Sequence, residues 1–507
     1  MPTRHTNKFL NFTNMSFRYD SSTQYLFKNI DATFAPGWTG IIGVNGSGKT
    51  TLLKLASGRL EPNMGSVHNN ESYVFCEQRL DFISESITDF MYAYDSYACR
   101  LRAKFNINDE WVDRWDSLSY GEKKRMQVAS AVWLEPEILI VDEPTNHLDC
   151  HSKQYLYNLM LLYKGTGLLV SHDRKFLDDL CFCCIFVEPP GISVYKGGYS
   201  KSIEQRSVDE DRARNELKFA RNNYNKLKNE YSRRKHEASL ADSKRSKRKI
   251  DKKDNDARSR IRAAIVSGRD GKAGILQSQM KGRLMQSLDK LKNIKAKKIE
   301  DLGIWIKGVN YRSNSLLKLE KMTISYGVKF VLNCPDIVIR GEDKIAITGD
   351  NGTGKSTLIK TIIQELNCPE NKYIYVPQEI SIEKSKEIIS TVKRLPNESL
   401  GKVMALINRL GSNPGRLLET ELPSPGELRK LSLAVGIIKA PSLIIMDEPT
   451  NHMDLESIEC IENALKECPC ALVLVSHDIY FFKKITNIRW DIKKNKDGIS
   501  SLEKRYW

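Results

Sequence analysis

Two stretches of this 507-residue chain have residue types and spacing suited to holding phosphate. Gly43-Val44-Asn45-Gly46-Ser47-Gly48-Lys49-Thr50 and Gly349-Asp350-Asn351-Gly352-Thr353-Gly354-Lys355-Ser356 both fit G-x-x-x-x-G-K-[ST]. In that pattern the N–H groups of a glycine-rich loop and of the helix after it point at phosphate oxygens, and the lysine neutralises β/γ charge. Thr50 and Ser356 supply the hydroxyl that helps hold Mg²⁺. Farther on, Asp142-Glu143-Pro144-Thr145-Asn146-His147 recurs as Asp447-Glu448-Pro449-Thr450-Asn451-His452. An aspartate there can bind the Mg²⁺ shell, and the glutamate after it can orient or deprotonate an attacking water. Asp142 and Asp447 are therefore the expected metal-side carboxylates, and Glu143 and Glu448 the expected catalytic bases. His172 and His477, each 30 residues beyond its aspartate, fit a γ-phosphate contact. The chemistry implied is Mg²⁺-dependent ATP hydrolysis, written twice.

The elements that must position these residues follow from the apolar runs in front of them. Ile41-Ile42 and Ala346-Ile347-Thr348 read as ends of buried strands that enter a glycine-rich turn and then a helix. Ile138-Leu139-Ile140-Val141 and Leu443-Ile444-Ile445-Met446 read as short strands of parallel type. The two lysines are 306 residues apart, and the two aspartates and two histidines 305. An internal repeat of that size is a duplicated domain.

Bulk properties narrow the setting. No window approaches the ~18 to 20 continuous apolar residues of a membrane span. The start, Met1-Pro2-Thr3-Arg4, carries no apolar stretch, so no secretory signal is expected. Eleven cysteines lack framework or metal-site spacing. Cys181-Phe182-Cys183-Cys184 and Cys468-Pro469-Cys470 read as structural thiols, and no metal other than Mg²⁺ is expected. A cytoplasmic location fits. The net charge of +16 is localised: residues 211–300 hold 28 Lys+Arg and 11 Asp+Glu, and the remainder is near neutral with 51 and 52. Such a block reads as a polyanion-binding element, with a solvated linker as the bland alternative.

With these motifs in place, both halves resemble ATP-binding-cassette (ABC) proteins, over roughly 400 of the 507 residues. The resemblance implies an α/β fold: two tandem P-loop ABC ATPase domains, at 1–205 and 301–507, joined by a basic α-helical hairpin linker at 206–300. It also implies further site residues. Leu118-Ser119-Tyr120-Gly121-Glu122 resembles the signature loop, so Ser119, Gly121 and Glu122 join the nucleotide-binding set. Gln78 and Gln378 resemble the glutamines that couple the Mg²⁺ site to the helical subdomain. Tyr19 and Tyr326 resemble adenine-stacking aromatics, and Asp149 and Asp454 the aspartates that signal across the dimer. Gly43, Asn45, Gly46, Gly48, Lys49, Thr50 and Thr51 complete the first phosphate loop. Gly349, Asn351, Gly352, Gly354, Lys355, Ser356 and Thr357 complete the second. Mg²⁺ is assigned to Thr50, Gln78 and Asp142 in one copy and Ser356, Gln378 and Asp447 in the other.

The second signature departs from the family. Ser424 lies 23 residues before Asp447, as Ser119 does before Asp142, and the stretch reads Pro423-Ser424-Pro425-Gly426-Glu427. Ser424, Gly426 and Glu427 are retained as nucleotide-binding residues. In this family each signature serves the other cassette's lysine, and Pro425 has no N–H to donate. The resemblance therefore implies slower hydrolysis where Lys49 is paired with Ser424 than where Lys355 is paired with Ser119.

The insert reads as two helices. Leu217, Ala220, Tyr224, Leu227 and Tyr231 form one seam, and Met280, Leu284, Leu288 and Leu291 another. The two could zip as an antiparallel hairpin or pack separately on the cassettes. A break is expected at Ser267-Gly268-Arg269-Asp270-Gly271-Lys272-Ala273-Gly274. A basic hairpin between cassettes resembles the F subfamily of ABC proteins. Tyr195-Lys196-Gly197-Gly198-Tyr199-Ser200 is similar to that subfamily's G-N-Y-S stretch, with Gly198 in place of asparagine. Members of the subfamily work on ribosomes, and some displace antibiotics while others tune translation. The resemblance thus implies rRNA and P-site tRNA as partners through residues 206–300. Two other readings remain: the energising subunit of a membrane transporter and a DNA-repair ATPase. The first has no use for a basic hairpin. In the second, the coil interrupts a cassette rather than joining two.

Overall fold

The computed structural model describes residues 9–68, 72–146, 148–245, 256, 259, 271–293, 306, 315–326, 330–412, 414–419, 423–451, 453–495 and 499–506. They fall into two compact units, 1–202 together with 300–507, and 203–299.

In the first half, a six-stranded sheet runs in the order Tyr73–Cys76, Ile138–Asp142, Thr166–Val170, Gly37–Ile42, Cys181–Glu188 and Gly191–Lys196. All neighbours are parallel except the last pair. The strands Ile138–Asp142 and Thr166–Val170 are buried throughout, which explains their unbroken apolar runs. An antiparallel sheet of Phe27–Phe34, Leu10–Phe17 and Met64–His68 adds to the same half. Leu10, Phe12, Phe27, Leu52, Ile140 and Leu168 share its core.

The second half repeats the plan within an eight-stranded sheet. There Tyr373–Val376, Leu443–Asp447, Ala471–Val475 and Lys344–Gly349 are adjacent and parallel, in the same sequence as their counterparts. In each half, three neighbouring strands end side by side: one leads to the phosphate loop, one carries the Asp-Glu pair, and one precedes Ser-His. Ligands in parallel α/β sheets bind at such carboxyl ends.

The strand register in the first half depends on close approach at Gly167. A Cβ there would lie 2.4 Å from the Trp38 ring, which sits on the strand leading to the phosphate loop. The indole N–H of Trp38 donates to the Met160 carbonyl at 2.9 Å, so the ring cannot simply swing away.

The second unit contains the helices Tyr199–Arg245, whose first residues belong to the other unit, and Gly271–Asn293. The first helix spans 47 residues, about 70 Å. It starts ahead of the expected boundary at 206, because Gly197 and Gly198 stop the preceding strand and no breaker follows. Leu217, Ala220, Tyr224, Leu227 and Tyr231 are each half-buried, while most residues between them are exposed. On the second helix Met280 is buried, and Leu284, Leu288 and Leu291 are half-buried. The two seams are thus the covered faces of their helices. One expectation is corrected: Gly271 and Gly274 lie within the second helix instead of in a turn. Glycine lowers helix stability by only about 1 kcal/mol, so two near an end do not stop it. The expected turn residues Ser267 to Asp270 lie outside the described residues.

Gly167→Ala should destabilise the protein by about 1–3 kcal/mol through overpacking against Trp38. A thermal melt should show a lower Tm with the far-UV circular dichroism at low temperature retained.

Candidate nucleotide sites

Each phosphate loop makes its turn with glycines in the left-handed region. Gly46 and Gly48 have φ of 81° and 96°, and Gly352 and Gly354 have 77° and 100°. L side chains rarely adopt these angles. The helices Lys49–Ala56 and Lys355–Gln364 begin immediately after them without a side-chain cap, so their first N–H groups remain turned to the loop. Lys49 Nζ folds back onto the carbonyls of Gly43 at 2.7 Å and Val44 at 3.3 Å. Lys355 Nζ does the same with Gly349 at 2.7 Å and Asp350 at 3.1 Å.

The expected metal-side groups come together in both copies. Thr50 Oγ1 donates to Asp142 Oδ2 at 3.2 Å, and Ser356 Oγ to Asp447 Oδ2 at 2.9 Å. A hydroxyl beside a carboxylate is the hard-oxygen pair that suits Mg²⁺. The buried Ser47 hydroxyl has no protein partner among the described residues, as a group aimed at a bound ligand would. A cavity of about 500 Å³ is lined by Gly352, Gly354, Lys355, Ser356, Thr357 and Gln378, with Asn351, Asp447, Glu448, Asn451 and His477 completing the wall. These residues fit a nucleoside triphosphate with Mg²⁺.

Glu143 and Glu448 have φ of 46° and 50°, a conformation costly for any residue but glycine. The neighbouring strand holds it in place. Glu143 N donates to the Val170 carbonyl at 2.9 Å, and Glu448 N to the Val475 carbonyl at 2.8 Å. The same strands continue into the histidines, and His172 Nε2 lies 2.9 Å from Glu143 Oε1. His477 Nε2 lies 3.5 Å from Glu448 Oε1, 3.3 Å from Lys355 Nζ and 3.1 Å from Asn351 Oδ1. Burial, aided by the charges of Lys355 and Lys153, lowers His477 to about 3, so its imidazole is neutral at pH 7. Burial pushes Glu448 up to about 7 against the pull of Lys355. Asp142 rises to about 6, through burial first and its neighbour Glu143 second. Such shifts belong to a dry site, where a bound cation would favour the charged carboxylates.

The two signatures fold alike despite their different residues. Ser119 caps the helix Tyr120–Trp133: its hydroxyl accepts from Glu122 N and donates to Glu122 Oε2 at 2.7 Å. Ser424 and Glu427 make the same reciprocal cap on Pro425–Ile437. The carboxylates of Glu122 and Glu427 are thus engaged in caps. Gly121 has Ser152 packed against it, and Gly426 is buried. Pro425 occupies the first helical position, where an absent N–H does not weaken the helix. The proline therefore leaves the helix and its cap intact, and it changes what the loop can donate.

The remaining expected residues have definite places. Tyr19, 44% exposed, meets Thr51 Oγ1 through its hydroxyl at 2.7 Å. The side chain of Tyr326 lies outside the described residues, as do His147 and His452. The Gln78 carbonyl accepts from the Tyr120 hydroxyl at 2.5 Å. Asp149 and Asp454 cap the helices Cys150–Met160 and Leu455–Glu467. Asp454 Oδ2 also accepts from Asn45 N at 3.2 Å, a direct tie from one cassette to the phosphate loop of the other.

Two groups went unread in the sequence. Arg174 meets the almost fully buried Glu462 of the second cassette at 2.6 Å, and Tyr199 donates to Glu459 at 2.8 Å. No local pattern marks these partners, about 260 to 290 residues apart. Lys124 and Arg429 are buried cations five residues beyond Ser119 and Ser424. The 305-residue offset links them and could have exposed the pair.

A family model described as ABC transporter matches residues 27–146 and 334–451. The chain is 28% identical over 506 residues to the ribosome protection protein VmlR of Bacillus subtilis (strain 168), covering 96% of this chain and 87% of that one. It is 28% identical over 484 residues to the erythromycin resistance ATP-binding protein MsrA of Staphylococcus epidermidis, covering 92% and 94%. Both cassettes thus match the ABC transporter model, and over nearly its whole length the chain is similar to proteins of the ABC-F family. The protein is an ATPase with two cassettes in tandem. Among solved structures, its fold is similar to the archaeal ribosome recycling factor aABCE1, crystallised with the stalk protein aP1. The TM-score is 0.59 at 17% identity, covering 98% of this chain and 90% of that one. Among the described residues, no helix is long and apolar enough to cross a membrane.

The proline in the second signature generates an asymmetry that can be measured. Glu448→Gln should remove most ATP turnover, about 10²-fold at its own site. Glu143→Gln should remove the smaller share, because the family resemblance pairs its site with Pro425. Equal losses in steady-state phosphate release would contradict the asymmetry.

Proposed function

We propose that this protein binds the ribosome in its ATP-closed form and that ATP hydrolysis releases it. The observation that carries this reading is the +17 charge of residues 211–300, a stretch that lies between two complete cassettes in the sequence and overlaps the helices Tyr199–Arg245 and Gly271–Asn293. A basic arm of that length needs a large polyanion. The similarity to VmlR, a ribosome protection protein that aligns across nearly the whole chain, favours rRNA and tRNA over duplex DNA. Lysine and arginine contacts to RNA phosphates make the binding salt-sensitive.

In this reading Lys49 and Lys355 neutralise the triphosphate. Thr50 with Asp142, and Ser356 with Asp447, hold Mg²⁺, which supplies charge stabilisation at the transferring phosphoryl group. Glu143 and Glu448 accept the proton of the attacking water, while His172 and His477 fix the carboxylates and contact the γ-phosphate. Asp454 reports the state of the first phosphate loop to the second cassette through Asn45. Closure directs the arm towards the P-site tRNA and the peptidyl-transferase centre, where it protects against antibiotics or adjusts translation. A transporter subunit would dock on a membrane partner and leave the basic unit without a role.

The double Glu143→Gln/Glu448→Gln protein should cosediment with ribosomes in ATP and not without it. Deletion of residues 235–275 should abolish that cosedimentation, and excess duplex DNA at physiological salt should not compete. Absence of cosedimentation in ATP would defeat the reading. Growth in ribosome-targeting antibiotics then separates protection from regulation.

A further inference from the structure

We infer that Lys124 and Arg429 are positioning residues: each ties the helix after a signature serine to the loop bearing Gln78 or Gln378, so that the helix sets where that glutamine stands. The inference rests on the nucleotide sites described above and is independent of the partner the cassettes serve.

The two side chains are 0% and 2% exposed. Burying a cation is unfavourable unless it is met by charge and hydrogen bonds. Lys124 Nζ donates to the Glu77 carbonyl at 2.5 Å, one residue before Gln78, with Asp142 and Glu143 within electrostatic reach. Arg429 spreads its guanidinium over three carbonyls on two loops. Nη2 donates to the Gln378 carbonyl, and Nη1 donates to the carbonyls of Asn451 and, at 3.3 Å, Glu448. One side chain thereby joins the glutamine loop, the expected base and the turn leading to Asp454.

The differences between the copies compensate one another. In the first cassette the glutamine loop is held twice, by Lys124 at Glu77 and by the Tyr120 hydroxyl at Gln78. In the second, Pro425 replaces the tyrosine and cannot reach the loop. There the guanidinium, with more donors than an ammonium, takes the Gln378 carbonyl directly. Both copies thus keep a bond from the signature helix to the loop whose glutamine is assigned to Mg²⁺. A helix that shifts when the cassettes close would carry the glutamine with it.

The test uses the full chain without ribosomes, so its outcome is separate from that of cosedimentation. Lys124→Met and Arg429→Met remove the charge at similar length; Arg429→Lys keeps the charge and fewer bonds. Affinity for a fluorescent ATP analogue and steady-state kcat and KM are measured on each. Nucleotide affinity and KM should stay within about twofold, while kcat falls about tenfold to a hundredfold in the Met variants. Arg429→Lys should lie between Met and wild type. If a Met variant does not fold, Arg429→Lys and Tyr120→Phe must still lower kcat at unchanged affinity. Unchanged kcat, or an affinity loss that accounts for the whole effect, would overturn the assignment.

Discussion

The constraint behind this structure is that a triphosphate and its metal must be met by opposite charge and N–H groups in a place where water is scarce. Parallel strands answer that requirement when their carboxyl ends are adjacent. In both cassettes one strand delivers the glycine turn, the next precedes the histidine, and the one after ends in Asp-Glu. A shift of one residue in any of these would turn the terminal side chain to the other face of the sheet. Close contacts such as Trp38 on Gly167 fix that register. The left-handed glutamates follow from it, because their N–H groups are held by the adjacent strand.

Dryness has a second consequence. The carboxylates Asp142 and Glu448 are pushed towards neutrality, and His477 is kept uncharged. Buried lysines and arginines then become structural components, each aimed at carbonyls of loops that border the site. Lys49 and Lys355 fold onto their own phosphate loops, and Lys124 and Arg429 hold the glutamine loops. Arg174 and Glu462 extend the same principle across the two cassettes. The cassettes are therefore joined by charge at several points, including the Asp454 contact to Asn45. Such contacts can respond when a phosphate group arrives or leaves.

Duplication let the two halves diverge without loss of fold. Ser119 and Ser424 form the same cap although tyrosine follows one and proline the other. A first helical position tolerates proline, so the change falls on donation to a ligand rather than on stability. The linker diverged in another direction. Each helix has one covered apolar stripe, and its exposed surface is largely polar and basic, with apolar exceptions such as Phe219 and Met285. That composition supports helices with little core of their own and leaves charge available to a partner.

The phosphate loops, the Asp-Glu pairs, the histidines and the signature serines were legible in the sequence because each depends on spacing within one copy, and the repeat doubled the signal. The location of the positive charge was legible for the same reason: it is a count along the chain. Tertiary structure alone decided which side chains meet across long separations. Arg174 with Glu462, Tyr199 with Glu459, and Asn45 with Asp454 are brought together by packing of one cassette on the other, and no local pattern encodes the partner. It also decided that Gly271 and Gly274 sit inside a helix, since the tolerance of a glycine depends on its place in the helix. Spacing is inherited from the chain, whereas a buried charge finds its partner only when the surrounding water is gone.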